Sequence, residues 1–328
     1  MTNSLPTTLP LSKLVTEMQE SATLKMAKMA RELKAQGKDV IDLSLGEPDF
    51  DTPVHIKEAA KKALDDGYTK YTPVNGLLEL RQAIVNKLAR ENDLHYTVNQ
   101  IVVSNGAKQS VYNLCMALLD PGDEVILPAP YWVSYAEIVK MAGGVPVIAN
   151  SSIEQDFKST PEEIEALITD RTKFILYSSP CNPSGSVFSF EELQALALML
   201  QAHEHVLVVS DEIYEHINFT DRHYTIASME GMKDRTVIIN GMSKGYAMTG
   251  WRLGYIAGPD WIADACTKIQ GQVTSGASSF GQKAAAVALE SDHTPTKEMV
   301  KAFHQRRDLI INLLEQIPLL LVNRPQGA

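Results

Sequence analysis

The chain has 328 residues, and its 40 acidic side chains outnumber the 30 basic ones to give a net charge of −10. This excess of acids argues against a protein that binds nucleic acid by neutralising phosphates, while the length suffices for one large domain or two ordinary ones. The three cysteines show no CxxC spacing, so the sequence predicts neither a disulfide framework nor a metal site and favours a reducing compartment.

Short apolar runs alternate with helical patterns between residues 41 and 257, and the pattern after residue 259 is mainly helical. This alternation predicts an α/β fold with a largely parallel sheet that helices cover on both faces. No secretory leader and no apolar run of membrane-spanning length is found. We therefore predict a cytoplasmic protein without a membrane partner.

The first candidate site residues lie in turns. Residues 41–45 read as a short strand that ends at Gly46, where the missing side chain lets the backbone approach a ligand closely. A plain turn is the alternative. Tyr71 lies in an aromatic, turn-rich segment and either reaches a ligand or stays exposed.

An anion site is predicted where residues 101–104 lead into a small-residue turn and a helix. Gly106 and Ala107 leave the first backbone N–H groups of that helix accessible beside Lys108. Phosphate is a ligand that such N–H groups commonly bind. Many such turns bind nothing. The turn also lacks the glycines of a dinucleotide fingerprint, which disfavours a nicotinamide-dependent dehydrogenase.

Two further side chains suit a planar ligand. Trp132 offers a flat face that could stack on a ring, although a tryptophan in a core or an interface is an equal alternative. Asn182 stands between two prolines after an apolar run, so its loop either aims the amide inward or is a simple turn.

Asp211 follows an apolar run at residues 206–209, as ligand-contacting groups of open α/β sheets do. A carboxylate so close to a buried strand needs a positive partner, and a protonated pyridine nitrogen would be one. Capping of a following helix is the alternative. Tyr214, three residues on, could offer its phenol to the same ring.

A lysine and an arginine share the loop between the apolar runs at 236–239 and 253–257. Lys244 could reach a bound molecule, and Arg252 could hold an anionic group on it with two parallel hydrogen bonds. The pair suits an aldehyde cofactor that bears a phosphate. A solvated loop lysine is the alternative.

Four segments together resemble the class I, fold-type I pyridoxal-phosphate aminotransferases, and the match runs from about residue 15 to the end. They are Gly-Glu-Pro-Asp-Phe at 46–50, Asn-Pro-Ser-Gly at 182–185, Ser-Asp-Glu-Ile-Tyr at 210–214, and the segment from Ser-Lys-Gly to Leu-Gly-Tyr at 243–255.

The resemblance implies a pyridoxal 5′-phosphate enzyme that works by a ping-pong mechanism. Lys244 would bind the cofactor covalently and move the proton at the substrate Cα, and Asp211 would keep the ring nitrogen protonated. Asn182 and Tyr214 would bond the phenolate oxygen, and Trp132 would stack on the ring. The implied phosphate ligands are Gly106, Ala107, Lys108, Ser243, Arg252 and, from a second subunit, Tyr71. A homodimer with shared sites follows from the last of these.

The resemblance also implies an L-amino acid and a 2-oxo acid as substrates, with Gly46, Trp132 and Asn182 touching the amino acid. Lys108 and the segment 21–23 resemble the branch that handles aspartate and, in some members, prephenate. Lys108 could pair with the distal carboxylate of such a substrate, and a surface charge at a helix start is the alternative. Aspartate with 2-oxoglutarate is our prediction. Prephenate, aromatic amino acids or alanine are alternative substrates. A pyridoxal-phosphate lyase and a non-catalytic binding module are alternative functions.

The implied architecture has three parts. Residues 1–45 would form an N-terminal arm and part of a small α+β domain, 46–285 a large cofactor-binding domain built as a three-layer α/β sandwich, and 286–328 the start of the C-terminal small domain. In the family an arginine beyond this point clamps the substrate α-carboxylate. We therefore expect an incomplete small domain and poor transamination from a chain that stops at residue 328.

Overall fold

The computed structural model describes residues 11–18, 22–43 and 46–328, and the chain divides into two compact units, Met1–Gly46 and Glu47–Ala328. The described part of the first unit contains two helices, α1 (Lys13–Glu17) and α2 (Ala22–Ala35). The strand predicted at residues 41–45 is not formed by residues 41–43, where Ile41 and Leu43 are exposed. Residues 44 and 45 lie outside the described residues.

The second unit is built on a seven-stranded sheet with the strand order β1-β7-β6-β5-β4-β2-β3. Its strands are β1 (Ile101–Ser104), β2 (Glu124–Pro128), β3 (Val145–Ala149), β4 (Thr172–Ser178), β5 (Leu207–Asp211), β6 (Thr236–Gly241) and β7 (Gly254–Ala257). Strand β7 runs antiparallel to β1 and β6, and the other neighbours pair in parallel. The prediction of a largely parallel sheet is confirmed.

Helices cover both faces of the sheet. They are α3 (Val54–Asp65), α4 (Leu78–Asn92), α5 (Ala107–Leu118), α6 (Ser134–Met141), α7 (Pro161–Glu165), α8 (Phe190–Gln201), α9 (Asp260–Val273), α10 (Ser279–Glu290) and α11 (Thr294–Leu314). Successive strand residues enter different cores: Ile238 packs with residues of α3, α4 and α10, whereas Val237 and Ile239 pack with residues of α5, α6 and α9. Burial on both faces explains why the strands read as nearly continuous apolar runs, and the three-layer α/β sandwich is confirmed.

The strand register brings four loops to one edge of the sheet. Ser178 pairs with Asp211 and Asp211 with Ile239, so β4, β5 and β6 end side by side. Ser104, the last residue of β1, pairs with Gly254, which in turn pairs with Gly241. The loops after β1, β4, β5 and β6 therefore leave the sheet at a common carboxyl edge, where α/β proteins bind ligands.

The last part of the chain returns to this body. Phe219 N donates to Gln326 O at 2.7 Å, and Asn218 forms a β-bridge with Gly327. The boundary predicted between residues 285 and 286 falls within α10, and the division of this unit into two domains stays a prediction. Among the described helices, none is both long and apolar enough to cross a membrane.

Candidate active site

The start of α5 forms a cradle for an anion at the carboxyl edge. Gly106 is the N-cap residue, with a φ of 85° in the left-handed region that favours glycine. A Cβ on Gly106 would collide with the Arg252 guanidinium, and a Cβ on Gly254 would collide with the backbone of Gly106 and Ala107. The two glycines thus let the guanidinium and the first N–H groups of α5 converge. That donor set fits a phosphate.

Arg252 is held towards this cradle at a conformational cost. Its φ of 56° is left-handed, which costs a residue other than glycine about 1 kcal/mol. Nη1 donates to Thr249 O at 2.9 Å and Nη2 to Asn105 O at 3.4 Å. Ser243, which is buried, precedes Lys244 in the same loop. Strain of this kind persists only where the surrounding structure determines it.

The Lys244 amine lies in a largely buried position three residues after β6. Its Nζ is 5.5 Å from the centre of the Tyr214 ring. Burial is the main cause that lowers the pKa of Lys244; Arg252 lowers it further, while the carboxylates of Glu47 and Asp211 raise it. The amine therefore gives up a proton more readily than an exposed lysine does.

Asp211 ends β5 with a buried side chain. Its Oδ2 accepts a hydrogen bond from the Tyr135 hydroxyl at 2.7 Å, and its Oδ1 accepts one from Ile213 N at 3.1 Å. Burial raises the pKa of Asp211 to about 6, although both hydrogen bonds and the charge of Lys244 lower it. No helix begins directly after it, so the capping alternative is wrong. A positive group beside this carboxylate would relieve the cost of its burial.

Asn182 and Tyr214 meet beside Asp211. The Asn182 side chain hydrogen-bonds the Tyr214 hydroxyl, which lies in the field of Asp211. Burial raises the pKa of Tyr214 to about 12, and the bond from Asn182 opposes this shift. Asn182 belongs to the loop after β4, in which the Ser179-Pro180 and Asn182-Pro183 peptide bonds are cis. An amide and a phenol thus stand together where they could bond one ligand oxygen.

Trp132 and Lys108 contact each other near this group. The Trp132 ring meets the Tyr135 ring edge to face, with centroids 5.5 Å apart. The Lys108 amine lies 4.6 Å from the Trp132 ring centroid. Burial lowers the pKa of Lys108, and the charge of Arg252 lowers it further. An exposed cation therefore stands beside the aromatic face.

These contacts link most of the predicted site residues into one group at the carboxyl edge. It comprises Gly106, Ala107, Lys108, Trp132, Asn182, Asp211, Tyr214, Ser243, Lys244 and Arg252. Tyr71 is not brought into this group, since its side chain is 97 % exposed. Gly46 belongs to the first unit, so its part in a site stays a prediction.

Sequence reasoning missed two features of the site. Tyr135 was not singled out, although it lies three residues after Trp132 in the same helical pattern. A buried ion pair of Lys87 and Glu215 was also missed; Glu215 accepts a hydrogen bond from the Asn240 side chain at 2.8 Å, just before the Lys244 loop. The position of Lys87 on the apolar face of α4, seven residues after Leu80, was the available signal.

Comparison with known proteins agrees with this geometry. The family described as aminotransferase class I and II matches residues 38–328. The chain is 48 % identical over 309 residues to the aspartate/prephenate aminotransferase of Nitrosomonas europaea, covering 94 % of this chain and 78 % of the relative. It is 48 % identical over 320 residues to the aspartate aminotransferase of Geobacillus stearothermophilus, covering 97 % and 81 %.

Solved structures give the same result. The aspartate aminotransferase of Rhizobium meliloti superposes with a TM-score of 0.95 at 44 % identity, over 98 % of this chain and 81 % of that one. The Thermus thermophilus aspartate aminotransferase with maleate gives 0.94 at 42 % identity, over 98 % and 84 %. The chain belongs to the class I and II aminotransferases. It is a pyridoxal-phosphate-dependent aminotransferase whose substrates are an amino acid and a 2-oxo acid.

Proposed function

We propose that this enzyme transfers the amino group of aspartate to 2-oxoglutarate. The observation that carries the proposal is the convergence of Lys244, Asp211 and the Gly106–Arg252 cradle at one edge of the sheet. An amine, a carboxylate and an anion cradle are the three contacts that a phosphorylated pyridine aldehyde requires. The names of the relatives support aspartate as the amino donor.

Bound pyridoxal 5′-phosphate supplies a pyridinium ring that takes up the electron pair left when the substrate Cα loses its proton. Asp211 holds a proton at the ring nitrogen, because a positive partner offsets the cost of its buried charge. Asn182 and Tyr214 bond the ring oxygen, and Trp132 covers one face. Ser243, Arg252 and the first N–H groups of α5 would hold the phosphate.

Lys244 moves the proton at the substrate Cα. A general base works best when its pKa is close to the working pH, and burial lowers the pKa of this amine in that direction. The neighbouring Arg252 charge acts in the same sense. The amine therefore has the position and the chemistry for both covalent attachment and proton transfer.

Lys108 is our candidate for the distal carboxylate of aspartate. Its side chain is exposed at the start of α5, and its amine lies 4.6 Å from the Trp132 ring centroid, where a substrate carboxylate could pair with it. The segment 21–23 supports the same branch of the family by sequence alone, and Ser21 lies outside the described residues.

A homodimer completes the proposal. Exposed Tyr71 adjoins a loop that is firmly held: Leu77 N donates to the Gln282 side chain at 2.7 Å, and the Gln270 side chain donates to Val74 O at 2.7 Å. A rigid loop that presents an aromatic ring outwards is suited to completing the site of a second copy.

Three free, buried cysteines support a reducing, cytoplasmic location.

Oxaloacetate formation tests the proposal. Purified enzyme is loaded with the cofactor and given aspartate with and without 2-oxoglutarate. We expect turnover of aspartate to oxaloacetate only when 2-oxoglutarate is present, and we expect a larger kcat/KM for aspartate than for phenylalanine or alanine. Turnover that continues without a keto acid would identify a lyase instead, and a preference for phenylalanine or alanine would overturn the assignment of aspartate.

A further inference from the structure

Among the described residues, each oxygen of the Asp211 carboxylate accepts one hydrogen bond. The Tyr135 hydroxyl donates to Oδ2 at 2.7 Å, and Ile213 N donates to Oδ1 at 3.1 Å. Ile213 is two residues away in the chain, whereas Tyr135 comes from α6, on a different part of the fold. The carboxylate orientation thus depends on one backbone donor and one buried phenol.

The phenol is itself fixed in place. Tyr135 is 1 % exposed and belongs to the core that packs α5, α6 and α9 against the sheet. Its ring meets that of Trp132 edge to face, so one tyrosine contacts both the residue proposed to cover the cofactor ring and the residue proposed to bind its nitrogen. Removal of the hydroxyl alone would leave this packing unchanged.

The Tyr135 hydroxyl influences the ionisation of Asp211, which is buried among other charged groups. Glu212 and Lys244 act on this carboxylate with opposite signs, and Tyr214 lies in its field. Burial raises the pKa of Asp211, and the hydrogen bond from Tyr135 is the largest cause that opposes the rise. The hydroxyl therefore favours the ionised carboxylate in a place where water cannot do so.

We propose that Tyr135 is a positioning residue of this enzyme, whose buried hydroxyl keeps the Asp211 carboxylate ionised and aimed at the ring nitrogen of the cofactor. The inference rests on the role proposed for Asp211. A carboxylate that lacks this donor holds the shared proton itself, which leaves the ring nitrogen closer to neutral and the ring a poorer electron acceptor.

Tyr135→Phe tests the inference, with Tyr177→Phe as the matched control. Tyr177 is also a buried tyrosine, but its hydroxyl contacts Ser210 rather than Asp211. The first readout uses the protein without cofactor. Carbon-13 NMR of labelled aspartate carboxyls, with Asp211 assigned through Asp211→Asn, should show a higher pKa of Asp211 in Tyr135→Phe only.

The second readout uses a nitrogen-15 label in the cofactor ring. In Tyr135→Phe the ring resonance should move towards that of a neutral pyridine, and the cofactor should bind about tenfold more weakly. Equal behaviour of Tyr135→Phe and Tyr177→Phe in both readouts would overturn the inference. If Asp211→Asn also left the ring resonance unchanged, the role of Asp211 would fail, so the two failures are distinguishable.

A second variant covers the case in which Tyr135→Phe does not fold. Site-specific difluorotyrosine at position 135 keeps the hydroxyl and the ring shape but makes the hydroxyl a stronger donor. The pKa of Asp211 should then fall below that of the unmodified protein. An unchanged titration of Asp211 in this protein would also overturn the inference.

Discussion

At the scale of single residues, the proposed preference for aspartate depends on Lys108. Lys108→Ala should lower kcat/KM for aspartate about 10-fold to 100-fold, because the distal carboxylate loses its charged hydrogen-bond partner. The value for phenylalanine should change little. Lys140→Ala is the matched control, since Lys140 is an exposed lysine on α6 that pairs with its helix neighbour Glu137. An equal loss for both substrates would show that Lys108 does not recognise the distal carboxylate.

Asp211 gives the cofactor-free protein a pH dependence of known sign. The pKa of this carboxyl rises from 3.8 to about 6 on folding, so its contribution to stability is fully present below pH 3.8 and is lost as the pH rises through about 6. The free energy of unfolding of wild type relative to Asp211→Asn should therefore increase by about 1 kcal/mol from pH 8 to pH 5.

Urea unfolding at the two pH values measures this quantity. The other titrating groups occur in both proteins and largely cancel in the difference. A difference that stays constant, or that changes in the opposite direction, would contradict the assignment of a raised pKa to Asp211.

Lys244 and Asp211 could be singled out from the sequence because their residue types carry the chemistry, and both lie at or just after the carboxyl ends of neighbouring strands. Their roles stay predictions. Sequence reasoning failed where a role depends on a distant partner. The Thr52 hydroxyl, for example, donates to Ala247 O, 195 positions away in the chain. Likewise, Tyr135 meets Asp211 across 76 positions, which no local pattern shows.

At the scale of elements, the start of α5 depends on glycine at position 254. A Cβ there would collide with the backbone at Ala107, so Gly254→Ala should displace the first N–H groups of α5 and weaken binding of the cofactor phosphate about tenfold or more. Gly250→Ala is the matched control, because Gly250 lies four residues earlier in the chain and a Cβ there would meet no neighbouring atom. Fluorescence titration with the cofactor measures both variants.

Equal affinity in Gly254→Ala and Gly250→Ala would contradict the cradle. A collapse of stability without a change in affinity would show instead that Gly254 serves only the packing of α5 on β7.

Elements were predicted well where burial sets their pattern. Each strand of the sheet lies within two residues of an apolar run, because strands buried on both faces need apolar residues at every position. Residues 41–43 show the limit of this reasoning. Their alternation resembles a half-buried strand, but a strand also needs a neighbour to receive its hydrogen bonds, which the sequence does not reveal.

At the scale of the whole molecule, a shared site can be tested by mixing inactive variants. Tyr71→Ala and Lys244→Ala should each abolish most activity, for different reasons. In a mixed dimer the Lys244→Ala chain supplies Tyr71 to the site of the other chain, which restores one complete site. Refolding an equal mixture should therefore recover roughly a quarter of wild-type activity. If the refolded mixture is no more active than the two variants added together, Tyr71 does not reach the site of a second subunit.

The layer architecture could be predicted because alternating strands and helices leave few topologies open. The antiparallel β7 could not, since its apolar run looks like those of the parallel strands. The division into domains likewise depends on packing between distant segments, and the sequence shows it only through resemblance.

The most direct measurement of the central claim is chemical trapping of the cofactor. Pyridoxal 5′-phosphate added to the protein should produce a visible absorbance that borohydride abolishes, and peptide mapping should then find the reduced cofactor on Lys244. In Lys244→Ala neither the absorbance nor the labelled peptide should form. Stable labelling of a different lysine, such as Lys108, or an unchanged absorbance in Lys244→Ala would contradict the account.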